Sequence, residues 1–414
     1  MIVKKHKLIS WMAIILLVPV LIYPMMSSSL MLSISELLCW GFGFALLFSK
    51  KSLSIKKNIY LLMWLLTLLP ITINSTMFRM NQYGYFLMWI SALLIMFMDD
   101  QYTTVEFRNV VLFIGVICSI YVLSTIIFNI MPNNGIMLRI ASLFRQTIQK
   151  GSIKTAGLTS HYSHNAMYIA LASMVWFSFV MNLKGRKKHI SLIMLILSVI
   201  AMLLTQKRGP LVALVISFIL SRFINQQGNI TKRIQRLLIT AIVLLFMLYL
   251  GYELFPSLFS VIDRFSQTDN VLSNRLYLWQ YAWDLFLRKP IVGYGWGYYS
   301  SNINIIINTM NVSSIYAHNI YLQLLAETGI IGTVIFLSAM ILTLRKSIAL
   351  SRNTFVNSKD NISITFSVCM QIFFLIYGIS GNPLYDKQMC LPYLTAVAIT
   401  LVYIHKGCKN ERIL

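Results

Sequence analysis

Charge is scarce in this chain, and its scarcity excludes more than any motif does. Only 11% of the 414 residues are charged and 12 are acidic, against 57% hydrophobic residues and a mean hydropathy of +0.72. A water-soluble globule of this length does not have that composition. Cysteine is sparse too. Cys39, Cys118, Cys369 and Cys390 lie within or beside apolar runs and Cys408 lies in the terminal tail, with no CxxC pair among them. A disulfide framework and a zinc-type site therefore have no basis in the sequence. There is no Walker-type glycine loop, no GxGxxG after a strand and no low-complexity tract. ATP-driven transport and dinucleotide chemistry are left without support, and no internal repeat of the kind common in secondary transporters is visible.

What the chain does have is a succession of apolar runs. A helical span needs about 20 mainly apolar residues, and twelve candidates begin near residues 8, 29, 59, 84, 109, 164, 190, 209, 237, 319, 362 and 389. The expected architecture is a single all-α, polytopic integral membrane domain over residues 1–414, of about 12 transmembrane helices. The first run follows Lys4, Lys5, His6 and Lys7 in the manner of a signal peptide. It contains Pro19 and Pro24, lacks a clear small-residue cleavage site and leads straight into further spans, so it reads as a retained first helix.

Basic residues orient the bundle. Of the 35 lysines and arginines, roughly two thirds fall in alternate connections that also hold both termini, for example Lys50, Lys51, Lys184, Arg186, Lys187, Lys188, Arg345 and Lys346, and the positive-inside rule makes that side cytoplasmic. The net charge of +23 is explained by topology, with no nucleic-acid partner needed. The opposite side keeps Arg79, Arg139, Arg145, Lys150, Lys154, Lys207, Arg208, Arg264, Arg275, Arg288, Lys289 and Lys387, with few acids beside them. A cationic field facing outward suits an anionic substrate such as a lipid pyrophosphate.

Two outward segments are long enough to build a site, residues 132–163 and 256–318; long connections of this kind are usually functional. The second contains SNRLYLWQYAWDLF, in which Leu276, Tyr277, Trp279, Trp283 and Phe286 recur at helical spacing, followed by Pro290 and the glycine-broken GYGWG turn. It reads as an amphipathic helix on the membrane surface. Its tryptophans suit interface anchoring better than sugar stacking, which stays open for Trp279, Trp283 and Trp296.

Arg208 lies in TQKRGP at an outward corner between two apolar runs, with Lys207 beside it. Position alone favours a snorkelling anchor; the chemical alternative is a guanidinium gripping phosphate oxygens through paired hydrogen bonds. Arg275, taken alone, is an exposed loop charge, and Arg288 is a further cation on the same outward segment. His318 and Asn319 stand where that segment enters the next span. An imidazole there can do acid-base work at neutral pH, and an equally good reading of the pair is a polar helix cap. Glu327, nine residues further on, is a carboxylate inside a span, a position usually paired or functional; it is a candidate to orient His318 or meet an arginine. Gly329 and Gly332 suit close helix packing. In the first outward segment, AGLTSHYSHNAMY carries His161, His164 and Asn165. Two histidines three apart share a helix face, but no third metal ligand has convincing spacing, and acceptor binding is the preferred role. GNPLYDK, with Asp386 and Lys387, forms an outward turn that either lines the site or is a plain turn.

The spacing from His318 onward is specific: His318-Asn319, nine residues, Gly329, two residues, then Gly332-Thr333-Val334. It resembles the signature of the O-antigen ligase family of bacterial envelope glycosyltransferases, and the resemblance to these ligases and the related polymerases extends over about residues 155–345. The family has two essential arginines and one histidine. The resemblance carries these onto Arg208, in a T-x-x-R corner with Thr205, onto Arg275, in NRLYLW before a helix, and onto His318. It implies transfer of a glycan from undecaprenyl pyrophosphate to a sugar hydroxyl of lipid A core oligosaccharide at the periplasmic face of the bacterial inner membrane. It further implies inversion at the anomeric carbon and no metal or other cofactor. Arg208 and Arg275 would clamp the pyrophosphate leaving group, and His318 would accept the hydroxyl proton or orient the acceptor. Lys207, Asn319, His161, His164, Arg288 and Glu327 complete the expected substrate-binding set, with membrane lipids as further partners. The polymerase, which joins one lipid-linked repeat to another, is the closest rival to the ligase. A protein-directed oligosaccharyltransferase would have a longer chain with more outward sequence. A solute transporter would place charges deep within broken spans, where only Glu36, Glu253 and Glu327 come close.

Overall fold

The computed structural model describes residues 59–73, 107–131, 153–159, 161–225, 269–302, 316–352 and 358–410, with scattered positions within 14–22, 135–139 and 231–253. Among these residues the regular elements are helices, with no strand. In chain order the helices are α1 Ile59–Leu66, α2 Leu68–Ile73, α3 Phe107–Ile130, α4 Ile153–Ala156, α5 Tyr162–Asn182 and α6 Gly185–Leu204. They continue with α7 Arg208–Asn225, α8 Asp269–Arg288, α9 Tyr298–Asn302, α10 Ile320–Ser351, α11 Ser358–Tyr377 and α12 Lys387–Asn410. Five of them, α3, α5, α6, α7 and α10, are long and apolar enough to cross a membrane, and α11 and α12 contribute shorter apolar stretches. The helices begin close to the expected starts near 59, 109, 164, 190, 209, 319, 362 and 389. The spans expected near 29 and 84 lie outside the described residues, and those near 8 and 237 are described only at isolated helical positions. The chain is a polytopic, all-helical membrane protein.

Helix α5 is the centre. It is apolar all round because it is buried all round, from Asn165 to Phe179, and it packs against α3, α6 and α11. In lipid there is no hydrophobic drive to bring helices together, so close packing and interhelical hydrogen bonds hold them. Gly115 on α3 lets the backbone approach Val175, and a Cβ there would sit 2.5 Å from Val175 Cγ1. Trp176 Nε1 donates to Ser119 Oγ at 2.9 Å, Asn182 Nδ2 to Thr365 Oγ1 at 3.0 Å, and Trp64 Nε1 on α1 to Thr343 Oγ1 on α10 at 2.8 Å. Model helices put such a bond at roughly 1 kcal/mol in a bilayer.

Helix α10 is longer than a membrane requires: 32 residues rise about 48 Å, against a hydrocarbon core of about 30 Å. It is broken at Gly329, whose φ of 62° and ψ of −168° are not helical. The preceding turn of chain fills the break. Tyr294 and Gly295 donate their N–H groups to the carbonyls of Ala326 and Glu327 at 3.1 and 2.7 Å, and Ile330 and Ile331 donate to Pro290 and Ile291 at 2.8 and 3.3 Å. The orphan backbone groups on both sides of the break are thereby satisfied. This revises the packing role expected for Gly329. A Cβ on it would collide with the Ile291 carbonyl, and one on Gly293 would lie 2.5 Å from the Glu327 carbonyl. Gly332 does serve close approach, since its Cβ would lie 2.7 Å from Pro70.

Helix α8 packs Leu278, Ala282 and Leu285 against Tyr299, Ala317 and Ala326. Its outward face carries Leu276, Tyr277, Trp283 and Leu287, all exposed. The stripe that holds α8 to the protein is thus Leu278, Ala282 and Leu285, while Leu276, Tyr277 and Trp283 look outward, where the surface-helix reading has them.

Candidate active site

One end of the bundle gathers the starts of α5, α7, α10 and α12 and the ends of α6 and α11. The connections that turn there bring the candidate residues together. Thr205 closes α6: it is fully buried, and its hydroxyl donates to the Met202 carbonyl at 2.7 Å. The chain then passes through Gln206, which has a left-handed φ of 56°, and Arg208 begins α7. Gly209 fits under the α11–α12 connection, where a Cβ would lie 2.9 Å from Ser380 Oγ and 3.6 Å from Tyr377. Arg208 is thereby held beside that connection. Lys207 Nζ lies 4.0 Å from the centre of the Tyr162 ring, a cation–π contact to the start of α5.

His318 also has a left-handed φ, 53°. Gln206 and His318 are the two non-glycine residues among those described with positive φ. Each such conformation costs about 1–3 kcal/mol, and the cost is typically carried at sites where function fixes the backbone. Asn319 follows as the N-cap of α10, its Oδ1 accepting from the N–H groups of Tyr321 and Leu322 at 3.0 and 3.2 Å. The cap reading therefore holds for Asn319, whose side-chain oxygen is engaged within the helix, and not for His318. The Ile320 N–H donates to the Gly378 carbonyl at 2.9 Å, fixing the start of α10 to the end of α11.

Electrostatics ties the cluster together. Burial, then the positive charges of Arg275 and Lys207, push His318 down to about 4. Burial lowers Arg275 as well, with Tyr377 favouring its charged form and Arg208 opposing it. Arg275 is thus coupled both to His318 and to Arg208, and Lys207 to His318, which links the four into one cationic cluster at this end of the bundle. His164 feels Lys207 and stands at its edge. Asp386, half-buried in the α11–α12 connection, is pushed up to about 7 by burial, and its charge reaches Tyr316 and Tyr377.

Other expected residues take different places. Arg288 ends α8, 13 positions and about 20 Å of helix beyond Arg275, and is exposed; it is not part of the cluster. His161 caps α5, its Nδ1 accepting from the Ser163 N–H at 3.1 Å, and its ring lies 5.8 Å from that of His164. Trp296 is stacked on Tyr385 at 4.6 Å and Phe336 at 5.8 Å, which removes it as a sugar platform. Glu327 orients no arginine and does not bond His318. Its fully buried carboxylate accepts from Gly297 N–H at 2.9 Å, Tyr299 N–H at 3.2 Å, Gln323 Nε2 at 3.2 Å and the Tyr385 hydroxyl at 2.6 Å. It locks the glycine turn into the α10 break. Gln323, Asn382 and Tyr385 form this network and were not singled out from sequence; Gln323 lies one turn before Glu327, a spacing that could have flagged it.

A cluster of cations beside an imidazole whose charged form is disfavoured, at one end of a polytopic helical bundle, is suited to holding an anionic group. Residues 193–337 match the family model described as O-antigen ligase, and this match supports membership of the O-antigen ligase family. The matched segment contains Arg208, Arg275 and His318 together. No curated protein gives a significant match to the chain. In general terms, the family is one of ligase- or polymerase-type, glycosyltransferase-like membrane enzymes with lipid-linked glycan substrates.

Proposed function

We propose that the protein is an O-antigen ligase. It transfers O-antigen polysaccharide from undecaprenyl pyrophosphate to a sugar hydroxyl of lipid A core oligosaccharide at the periplasmic face of the inner membrane. The observation that carries this reading is the convergence of Arg208, Arg275 and His318, drawn from three separate segments, into one cationic cluster within the matched region.

In the proposed reaction the acceptor oxygen attacks the anomeric carbon of the donor sugar. The bond from that carbon to the pyrophosphate oxygen breaks, and the lipid pyrophosphate leaves with the bonding pair. A single displacement inverts the anomeric centre. Negative charge grows on the leaving oxygen, so Arg208, Arg275 and Lys207 bind the transition state more tightly than the ground state. His318 receives the hydroxyl proton. At neutral pH its imidazole is unprotonated, because burial and the cations oppose its charge. Docking of the anionic donor between the cations and the ring offsets that repulsion and raises its basicity when it is needed.

A second reading, the polymerase, uses the same cluster with a second lipid-linked repeat as acceptor. The reach of the family match favours keeping it: residues 193–337 include the cationic cluster and stop short of His161 and His164, the expected acceptor side. The test is the lipopolysaccharide banding pattern, with lipid-linked glycan measured in parallel, in a strain lacking the gene. Loss of every O-antigen band with long polymer accumulating on undecaprenyl pyrophosphate is the expected outcome. Core carrying a single repeat supports the polymerase, and an unchanged pattern removes both.

A further inference from the structure

His318 is held in a backbone conformation that a histidine does not choose for itself, so something outside the residue must impose it. Its own helix cap does not, because the cap belongs to Asn319. A contact suited to do so lies on the other side. The N–H of Ala317, immediately before His318, donates to Gln323 Oε1 at 3.2 Å. The same oxygen accepts from Asn382 Nδ2 in the α11–α12 connection. Gln323 must therefore present its oxygen, and not its nitrogen, to both groups. What sets that orientation is Glu327, one turn along α10, whose Oε1 accepts from Gln323 Nε2 at 3.2 Å. An acceptor-only carboxylate at 327 dictates which way the amide points. All these atoms are buried: Glu327 and Gln323 are 0% exposed, and Asn382 is 3% exposed.

We infer that Glu327 is a positioning residue for His318, acting through Gln323: the carboxylate fixes the amide, and the amide oxygen holds Ala317 and thereby the left-handed turn that presents the imidazole to the cationic cluster. The same carboxylate clamps the glycine turn and Tyr385. One buried group thus sets the break in α10, the α11–α12 connection and the histidine together. The consequence for turnover rests on the glycosyltransferase reading; the effect on His318 does not.

Two variants of the full-length protein in nanodiscs test this, Glu327→Gln and Gln323→Leu. The first replaces an acceptor by a group that also donates; the second removes the relay and leaves the bonds from Glu327 to the glycine turn in place. Carbethoxylation of the peptide containing His318 by diethyl pyrocarbonate, followed by mass spectrometry across pH, reports the histidine without any substrate. Both variants are expected to react several-fold faster than wild type, with the midpoint moved up towards the ordinary histidine value of about 6.5. In transfer assays with undecaprenyl-pyrophosphate-linked O-antigen and lipid A core as probes, both are expected to lose about 100-fold in kcat with little change in the donor KM. Wild-type labelling of His318 in both variants overturns the inference. So does an effect in Glu327→Gln that is missing in Gln323→Leu, since Glu327 would then act through the glycine turn alone. If Glu327→Gln fails to fold, Gln323→Leu decides. A wild-type protein that transfers no glycan, yet shows the labelling changes in the variants, would sink the enzymatic reading and leave the positioning role standing.

Discussion

At the scale of single residues the account depends on charge and its geometry. Arg208→Ala, Arg275→Ala and His318→Ala are each expected to reduce transfer by about 100-fold or more without loss of membrane insertion, the range found when one preorganised charge-stabilising group is removed. Transfer rates and membrane-fraction blots check this. Near-normal activity in all three would dismantle the site. The pH dependence has a definite sign. The free-enzyme pKa of His318 is depressed to about 4 by burial and by the cations of Arg275 and Lys207, so its proton-accepting form persists down to that value. On its account kcat/KM is expected to stay flat from pH 8 to about 5 and fall only below. The donor's negative charge raises the same group in the complex, so the acid limb of kcat is expected at higher pH than that of kcat/KM. An acid limb in kcat/KM centred near 6.5 would contradict the electrostatic description. The three proposed residues came from the resemblance to the family, His318 through the HN-x9-GxxGTV spacing, Arg208 through the T-x-x-R corner and Arg275 through NRLYLW. The left-handed turns at Gln206 and His318 were not legible in the sequence, because neither residue type announces positive φ. Glu327 was noticed as an odd buried acid, and the spacing to Gln323 could have named one partner, but its others are backbone N–H groups and a tyrosine 58 positions away. No local pattern encodes those.

At the scale of elements the break in α10 is the feature on which the rest hangs. A continuous helix would leave the glycine turn nowhere to dock and would carry the start of α10 away from α11. Gly329→Ala is expected to cost about 1–3 kcal/mol for the left-handed backbone alone, with the collision against Ile291 added to it. The check is a lowered melting temperature in nanodiscs together with reduced transfer; a variant with wild-type melting would mean that the break is not required. Among the described residues the span starts were readable from the length of the apolar runs. The break was not, since a glycine inside an apolar run is as good a sign of close packing as of a kink. The inward stripe of α8 was not singled out: the aromatic residues Tyr277 and Trp283 face outward, while the smaller Leu278, Ala282 and Leu285 make the contacts.

At the scale of the whole molecule the basic residues and the site must agree on orientation. The cationic cluster lies at the bundle end opposite Lys184, Arg186, Lys187 and Lys188, which sit at the α5–α6 turn; the proposed orientation, read from the positive-inside rule, puts that turn in the cytoplasm and the cluster outside. An alkaline phosphatase reporter inserted between residues 303 and 315 is expected to be active, and one in the α5–α6 turn inactive. The reverse pattern would put the site on the wrong side for a lipid-linked glycan.

The most direct test of the central claim uses purified protein in nanodiscs, supplied with undecaprenyl-pyrophosphate-linked O-antigen and lipid A core oligosaccharide, with wild type compared against Arg208→Ala, Arg275→Ala and His318→Ala. The account expects wild type to join glycan to core while releasing undecaprenyl pyrophosphate in equal amount, and each variant to do neither at a measurable rate. Transfer by wild type that survives in all three variants would contradict it.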